Sequence, residues 1–468
     1  AFVVGCGAPP KGRRRPRGVL RAAETHDDDG ARVVVTGLGV VSAIGNDVES
    51  FWSRLLAGET GIGRVTQIED VERFGCQIGA EVKDFEAKDW FENAKTVNAN
   101  DRYTHFAVAA SRMAIKDAGL SVRDDDDDDV SDASDDEEGD GVHPDRAGCV
   151  VGTAFGGIGT IEREIERMKA RGPRRVSPFT IPSLLANTAS GVVGIELNLR
   201  ALNYGVVSAC ASGTHAIGEA LEALRRGDAD VVLAGGAEAA ITELMYAGFG
   251  AMKAMSTAYN DDPARSSRPF DRDRAGFVQG EGAGILVLER LDHARKRGAK
   301  IYAELAGYGA SCDAHHISSP EPTGAGLARC VAMALENAGV APTDVGYVNA
   351  HGTGTAMNDK FETMALKRVF QDHAPSLHVS STKGATGHTL GAAGGIEAVA
   401  TVMALHTGTL PPTINLDTPD LPDCDLNYVP HEPVSLDSFK AALTENLGFG
   451  GHNAALVFNR WGSAAAED

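Results

Sequence analysis

Along this chain, short runs of β-branched and aliphatic residues repeatedly give way to small residues and then to a helix-spaced apolar pattern. The first is Arg32-Val-Val-Val-Thr-Gly-Leu-Gly, a buried strand feeding a tight glycine turn. Strands are expected at Gly148–Thr153, Asp230–Ala234, Gly284–Glu289, Ile301–Tyr308, Val345–Ala350, His378–Ser381 and Ala454–Phe458. Helices are expected at Tyr103–Ala118, Ile158–Ala170, Thr214–Arg226, Gly326–Ala338, Lys360–Phe370 and Gly391–Leu405. Such alternation implies an α/β fold with largely parallel sheets covered by helices. With 468 residues there is material for two lobes, and each half opens a fresh strand–helix series, which puts the division near residue 290.

Charge narrows the partners. Residues 124–140 hold twelve acids and no base, so of the net charge of −21 only −9 belongs to the rest. A self-repelling run of this kind is expected to be a disordered insertion, and the overall acidity argues against nucleic acid. Residues 1–30 form a separate leader, whose first 23 residues carry Lys11, Arg13, Arg14, Arg15, Arg17 and Arg21 without an acid. That bias resembles an organelle transit segment, and the opening Ala1-Phe2 resembles the cleavage junction of leaders bound for complex plastids. A plastid destination is the expectation, with mitochondrion or cytoplasm as alternatives. Residues 463–468 read as a tail. No uninterrupted apolar run reaches the ~18 residues of a membrane span. The seven cysteines (6, 76, 149, 210, 312, 330 and 424) form no CxxC pair, so neither a zinc knot nor a disulfide framework is expected.

Chemistry concentrates in a few segments. In SACASGTHAIGEAL (208–221), Cys210 ends a strand and opens a helix. The positive end of a helix and its free N–H groups would lower a thiol's pKa, and the small flanking residues would admit a bulky thioester. In YVNAHGTGTAMNDKFET (347–363) a strand ends at His351, and in SSTKGATGHTLGAAGGIEA (380–398) Lys383 and His388 lie on a glycine-rich connection. Two histidines at strand ends, a lysine and a poised cysteine make a catalytic constellation. Zinc on His351, His388 and Asp359 is the rival, disfavoured because no HxH or HxxxH spacing occurs. In NLGFGGHNAALVF (446–458), Phe449 among glycines is either a mobile gate or an ordinary packed turn residue. GLGVVS (37–42) and GTAFGGIG (152–159) come close to nucleotide-binding loops, but close strand-to-helix turns account for them.

Taken together, these segments resemble the β-ketoacyl-[acyl carrier protein] synthases, with support from GPRRVSPFTIPS, RPFDRDRAGFVQGEGAGILVLE and DAHHISSPEPTGAG. The resemblance runs from about residue 31 to 460. It implies a thiolase-like, five-layered αβαβα fold of two related lobes, 31–290 and 291–462, generally a homodimer. It implies that Cys210 accepts an acyl chain from the phosphopantetheine of acyl carrier protein, and that malonyl carrier protein then loses carbon dioxide and attacks that thioester. His351 and His388 would donate hydrogen bonds to the enolate, and the N–H groups of Cys210 and Phe449 would hold the oxyanion. Lys383 would organise the site with Glu397 as its buried partner, and Asp359 and Asp313 would support it. Thr353, Thr355 and Ser318 would bind pantetheine, and Phe449 would gate entry. Arg171, Arg174 and Arg175 are the expected landing site for the acidic carrier protein. No redox cofactor or catalytic metal is implied; a structural monovalent cation near Asn349 and Glu397 is the one candidate ion.

Three departures bear on acyl-chain preference: His315 where tyrosine is common, HGTGT where HGTST is common, and Leu447 in place of a phenylalanine. Rival readings are a thiolase, a polyketide ketosynthase and a non-catalytic chain-length subunit. A thiolase needs a second cysteine, for which Cys424 lacks the glycine setting, and a chain-length subunit lacks the nucleophile that Cys210 supplies.

Overall fold

The computed structural model describes residues 32–122, 141–436 and 439–462. The basic leader, the acidic insert 124–140, the tail and the destination inferred from the leader lie outside the described residues.

One ten-stranded sheet organises the chain. Its strands are β1 (Val33–Val41), β2 (Ala147–Gly152), β3 (Asn203–Val206), β4 (Val231–Glu238), β5 (Gly282–Arg290), β6 (Ala303–Cys312), β7 (Val345–Asn349), β8 (His378–Ser380), β9 (Ala441–Gly448) and β10 (His452–Arg460). They lie side by side in the order β8-β7-β9-β10-β6-β1-β5-β4-β2-β3. The sheet is two five-stranded halves joined where β1 meets β6 through the pairs Val34↔Glu304 and Val35↔Ala303. Each half repeats the other. β1, β5 and β4 run antiparallel in succession, and β4, β2 and β3 run parallel. β6, β10, β9, β7 and β8 follow the same order and directions. The expectation of largely parallel sheets therefore holds for only three strands of each half. Long strands buried on both faces, such as β1 and β5, read alike in sequence whichever way their neighbours run.

Helices complete the layers. Ser212–Arg225 and Ala393–Thr407 sit between the halves and touch strands of both. Ala393–Thr407 is buried on nearly every side, as a middle-layer helix must be, and its alanines and glycines let it lie close to the strands. Leu390–Thr407 is long and apolar enough to cross a membrane, but 83% of it is buried inside the protein, so it is a core helix. On the outer faces, Arg102–Asp117 covers β1, β5 and β4, while Ala325–Ala338 covers β6 and β10.

Gly37 and Gly39 lie inside β1 rather than in a turn after it. A Cβ on Gly39 would come within 1.9 Å of the Ala110 carbonyl, so these glycines let helix Arg102–Asp117 press against the strand. The near-match to a nucleotide-binding loop is thus a helix–strand packing device.

Candidate active site

The chain reverses sharply between β3 and helix Ser212–Arg225. Ala209 takes a left-handed φ of 52°, and a single tight turn, Ala209–Ala211, carries Cys210 into a cavity of about 540 Å³. His351, His388, Leu447 and Phe449 also line this cavity. His351 stands two residues beyond β7, and His388 follows the short helix Lys383–Thr386. Corresponding edges of the two sheet halves thus deliver the sulfur from one side and both imidazoles from the other.

The groups meet closely. His388 Nε2 lies 3.1 Å from Cys210 Sγ, and the two imidazole rings stand edge to face with centroids 5.2 Å apart. Behind them Lys383 is buried against Glu397 in a direct ion pair, and its Nζ lies 3.4 Å from His351 Nδ1. Asn446 donates one amide to His351 Nδ1 at 3.0 Å and to Glu397 at 2.7 Å. With Asn446 and Lys383 both presenting hydrogens to Nδ1, the proton of neutral His351 belongs on Nε2, facing the cavity.

Electrostatics correct one sequence expectation. Burial pushes the Cys210 thiol up to about 12, with Lys383 opposing and Glu238 and Glu397 reinforcing the rise. Burial thus works against the thiolate that a helix start would favour. Burial and the positive charge of Lys383 hold both His351 and His388 well below the ordinary imidazole range. The resting site is a neutral thiol against a neutral base, and the N–H groups of the helix start can stabilise negative charge only as it develops.

The other expected residues divide. Thr353, Thr355, Ser318 and Asp313 line the cavity, with the two threonine hydroxyls 3.0 Å apart. Asp313 accepts from Asn453 at 2.8 Å and so braces the start of β10. Asp359 lies underneath, accepting from Gly354 N–H at 3.2 Å and Phe270 N–H at 2.8 Å, which holds the HGTGT loop in shape. It is not brought to the sulfur. Phe449 is half-exposed at the cavity mouth. Arg171, Arg174 and Arg175 are exposed at the end of helix Ile158–Arg171 and the turn after it, and none lines the cavity. Lys253 and Arg274 do line it. The sulfur and one nitrogen from each histidine lie within 4.8 Å of one another, a spacing that could also hold a soft metal.

For the monovalent cation, Asn349 and Glu397 fare differently. Both side-chain atoms of Asn349 lack a partner, as do Thr444 Oγ1, Glu362 Oε1 and Glu445 Oε2. Both oxygens of Glu397 are engaged, by Lys383 and Asn446. Glu362 and Glu445 face each other fully buried; burial pushes both towards protonation, reinforced at Glu362 by the Glu445 carboxyl and opposed at Glu445 by Glu362, the His351 N–H and Lys383. Asn349, Thr444, Glu362 and Glu445 thus offer unpartnered oxygens of the kind a hard monovalent cation takes, while those of Glu397 are engaged.

Sequence reading missed Asn446, Glu238, Glu362 and Glu445. The polar triplet Thr444-Glu445-Asn446 inside the apolar strand β9 was the available signal. Glu238, at the end of β4, accepts from Ala154 N–H at 2.6 Å, Gly391 N–H at 3.1 Å and Thr153 at 3.1 Å, which ties together two loops of the cavity wall.

Residues 30–294 match the family profile "Beta-ketoacyl synthase, N-terminal domain", and 302–417 match "Beta-ketoacyl synthase, C-terminal domain". The chain belongs to the β-ketoacyl synthase family. It is 46% identical over 430 residues to the 3-oxoacyl-[acyl-carrier-protein] synthase 2 of Synechocystis, covering 92% of this chain and 98% of that one. It is 45% identical to the enzyme of the same name from Staphylococcus aureus, with the same coverage. Among solved structures, the ishigamide ketosynthase/chain length factor superposes with a TM-score of 0.82 at 37% identity, covering 92% of this chain and 99% of that one. A type II polyketide ketosynthase in complex with its acyl-carrier protein superposes with a TM-score of 0.81 at 33% identity, covering 92% and 98%. These relatives share the thiolase-like fold expected from the sequence.

Proposed function

We propose that this β-ketoacyl synthase elongates fatty acyl chains by decarboxylative condensation of acyl carrier protein thioesters with malonyl carrier protein. The observation that carries the reading is Cys210 Sγ held 3.1 Å from His388 Nε2, with His351 beside it in the same cavity. In the first half-reaction His388 takes the Cys210 proton as sulfur attacks the acyl carbonyl. The carbon–sulfur bond to phosphopantetheine breaks, and the departing thiolate is protonated. In the second, the malonyl carbon–carboxylate bond breaks and carbon dioxide leaves. Its electron pair becomes an enolate held by Nε2–H of His351 and by His388. The α-carbon attacks the Cys210 thioester, the carbon–sulfur bond to Cys210 breaks, and the departing sulfur takes a proton from solvent. The N–H groups of Cys210 and Phe449 hold the oxyanion, Thr353, Thr355 and Ser318 grip the pantetheine arm, and Phe449 gates access.

Acyl carrier protein is the partner, a reading the carrier-bound neighbour supports. Its acidic surface would meet the exposed Arg171, Arg174 and Arg175. Incubating the enzyme with acyl carrier proteins of short, medium and long chain plus malonyl carrier protein tests the whole reading. The expected product is a 3-oxoacyl carrier protein two carbons longer. Failure with every chain length overturns the proposal, and repeated unreduced additions would favour a polyketide ketosynthase, the reading that the polyketide neighbours support.

A homodimer is part of this proposal. β3 is one of the sheet's two edge strands, and its Tyr204, with Val207 and Ile195 beside it, is exposed, Ile195 at 81%. Sedimentation is expected to give twice the chain mass, falling to the chain mass when Ile195 and Val207 become aspartate. The arginine-rich leader supports a plastid destination.

Asn349, Thr444, Glu362 and Glu445 would hold a monovalent cation that screens the two carboxyls under the His351 loop. Glu445 accepts from His351 N–H at 3.3 Å and Glu362 from Gly352 N–H at 2.9 Å. Exchanging potassium or sodium for tetramethylammonium is expected to lower the melting temperature by several degrees. The shift should vanish in Glu362→Gln/Glu445→Gln.

A further inference from the structure

Behind the nucleophile lies a Ser–His pair that the condensation chemistry leaves unused. Ser208 Oγ and His215 Nδ1 share a hydrogen bond of 2.7 Å, and neither residue lines the cavity. The peptide between them is constrained. Ala209 is held at φ 52°, a left-handed conformation that its Cβ disfavours. Ser208 N–H donates to Ser212 Oγ at 2.9 Å, Ser212 O–H donates to the Ala209 carbonyl at 2.6 Å, and Ala211 N–H donates to the Ser208 carbonyl at 3.2 Å. These local bonds shape the turn. Beyond the bond to Ser212 at the helix start, the bond to His215 ties the first residue of the turn one helical turn further into the following helix.

His215 also faces the other half of the molecule. Its ring meets Tyr308 edge-on, with centroids 6.2 Å apart. His452, three residues after Phe449, lies near enough to add to the burial that pushes the His215 imidazole down to about 4. His215 is therefore a neutral hydrogen-bonding strut. On the opposite side of the turn, a Cβ on Gly448 would lie 2.5 Å from the Ser208 carbonyl and 3.3 Å from Cys210 N. The end of β9 and the nucleophile turn are in direct backbone apposition.

We infer that Ser208 and His215 are positioning residues for the nucleophile: their bond fixes the strained Ala209 peptide, which aims Cys210 Sγ at His388 and keeps the Cys210 N–H facing the acyl oxygen. The inference rests on Cys210 being the acylated residue. Neither side chain touches substrate, so its effect falls on the rate of acylation rather than on carrier-protein binding.

The test compares Ser208→Ala, His215→Leu, His215→Asn and the double variant Ser208→Ala/His215→Leu. Asparagine places an amide where Nδ1 stands, whereas leucine fills the space without a polar atom. Single-turnover acylation by acyl carrier protein is followed by intact mass, and KM for the carrier is measured alongside. Ser208→Ala and His215→Leu are each expected to slow acylation about tenfold, the scale of one hydrogen bond, with KM unchanged. His215→Asn should keep most of the rate, and the double variant should be no slower than either single one. Additive losses, or His215→Asn as slow as His215→Leu, overturn the inference, as does an equal loss shown only as raised KM. Ser208→Ala removes only one oxygen atom and provides the readout should His215→Leu fail to fold. Absence of any adduct on the wild-type enzyme would overturn the parent reading instead, so the two failures are separable.

Discussion

Cys210→Ser is expected to lower condensation by a factor on the order of 10³ or more and to abolish the acyl adduct on the 208–221 peptide, while leaving the fold intact. The prediction follows from what surrounds the sulfur. His388 Nε2 is 3.1 Å away and neutral, so it can take a proton from a thiol whose pKa is near 12 as the carbon–sulfur bond forms. A serine hydroxyl in the same place is harder to deprotonate, and a weak base held far below its ordinary pKa cannot make up the difference. Rates measured by product mass check the first part. Retained turnover with an unmodified Cys210 peptide in the wild type would remove this residue from the mechanism.

Lys383→Met carries the other large effect, on stability and on pH dependence together. Lys383 and Glu397 are almost wholly buried, at 1% and 3% side-chain exposure. Removing one member of such a pair leaves an uncompensated buried carboxyl, which costs about 3–5 kcal/mol. Glu397 is already raised by burial, with Lys383 opposing, so the variant should hold it protonated at neutral pH. Lys383→Met/Glu397→Gln should recover most of the melting temperature, which calorimetry can check. The histidines respond in the opposite sense. Lys383 helps to hold them down, and each must be neutral to act as base or acceptor. Wild-type activity should persist below the ordinary imidazole pKa and fall only in more acid solution. Without Lys383 that acid limb should move to higher pH. An unmoved limb would show that Lys383 does not set the charge of these rings.

How much of this could be read in the sequence depended on whether a local pattern carried the information. Cys210, His351, His388 and Lys383 each stand where a strand meets a small-residue turn, and short segments record such junctions. Asn446 and Glu445 were missed because they interrupt β9 with polar residues, which broke the alternation by which a strand is recognised. Their meaning appears only once β9 lies beside β7 and brings Asn446 against His351. The direction of the Cys210 shift was misread for a similar reason. Sequence places the thiol at a helix start, but the burial that pushes it up is a property of the assembled cavity. Strand direction was also hidden, since β1 and β5 are buried on both faces.

The interleaving of the second half of the sheet has a consequence for how the protein is made. Among the strands of this sheet β9 and β10 come last in chain order, yet they lie between β6 and β7. Until residue 460 has left the ribosome, β6 and β7 have no neighbour to join them, and the imidazoles have no fixed seat opposite the sulfur. A growing polypeptide thus holds Cys210 before the two strands that seat His351 and His388 opposite it have been added.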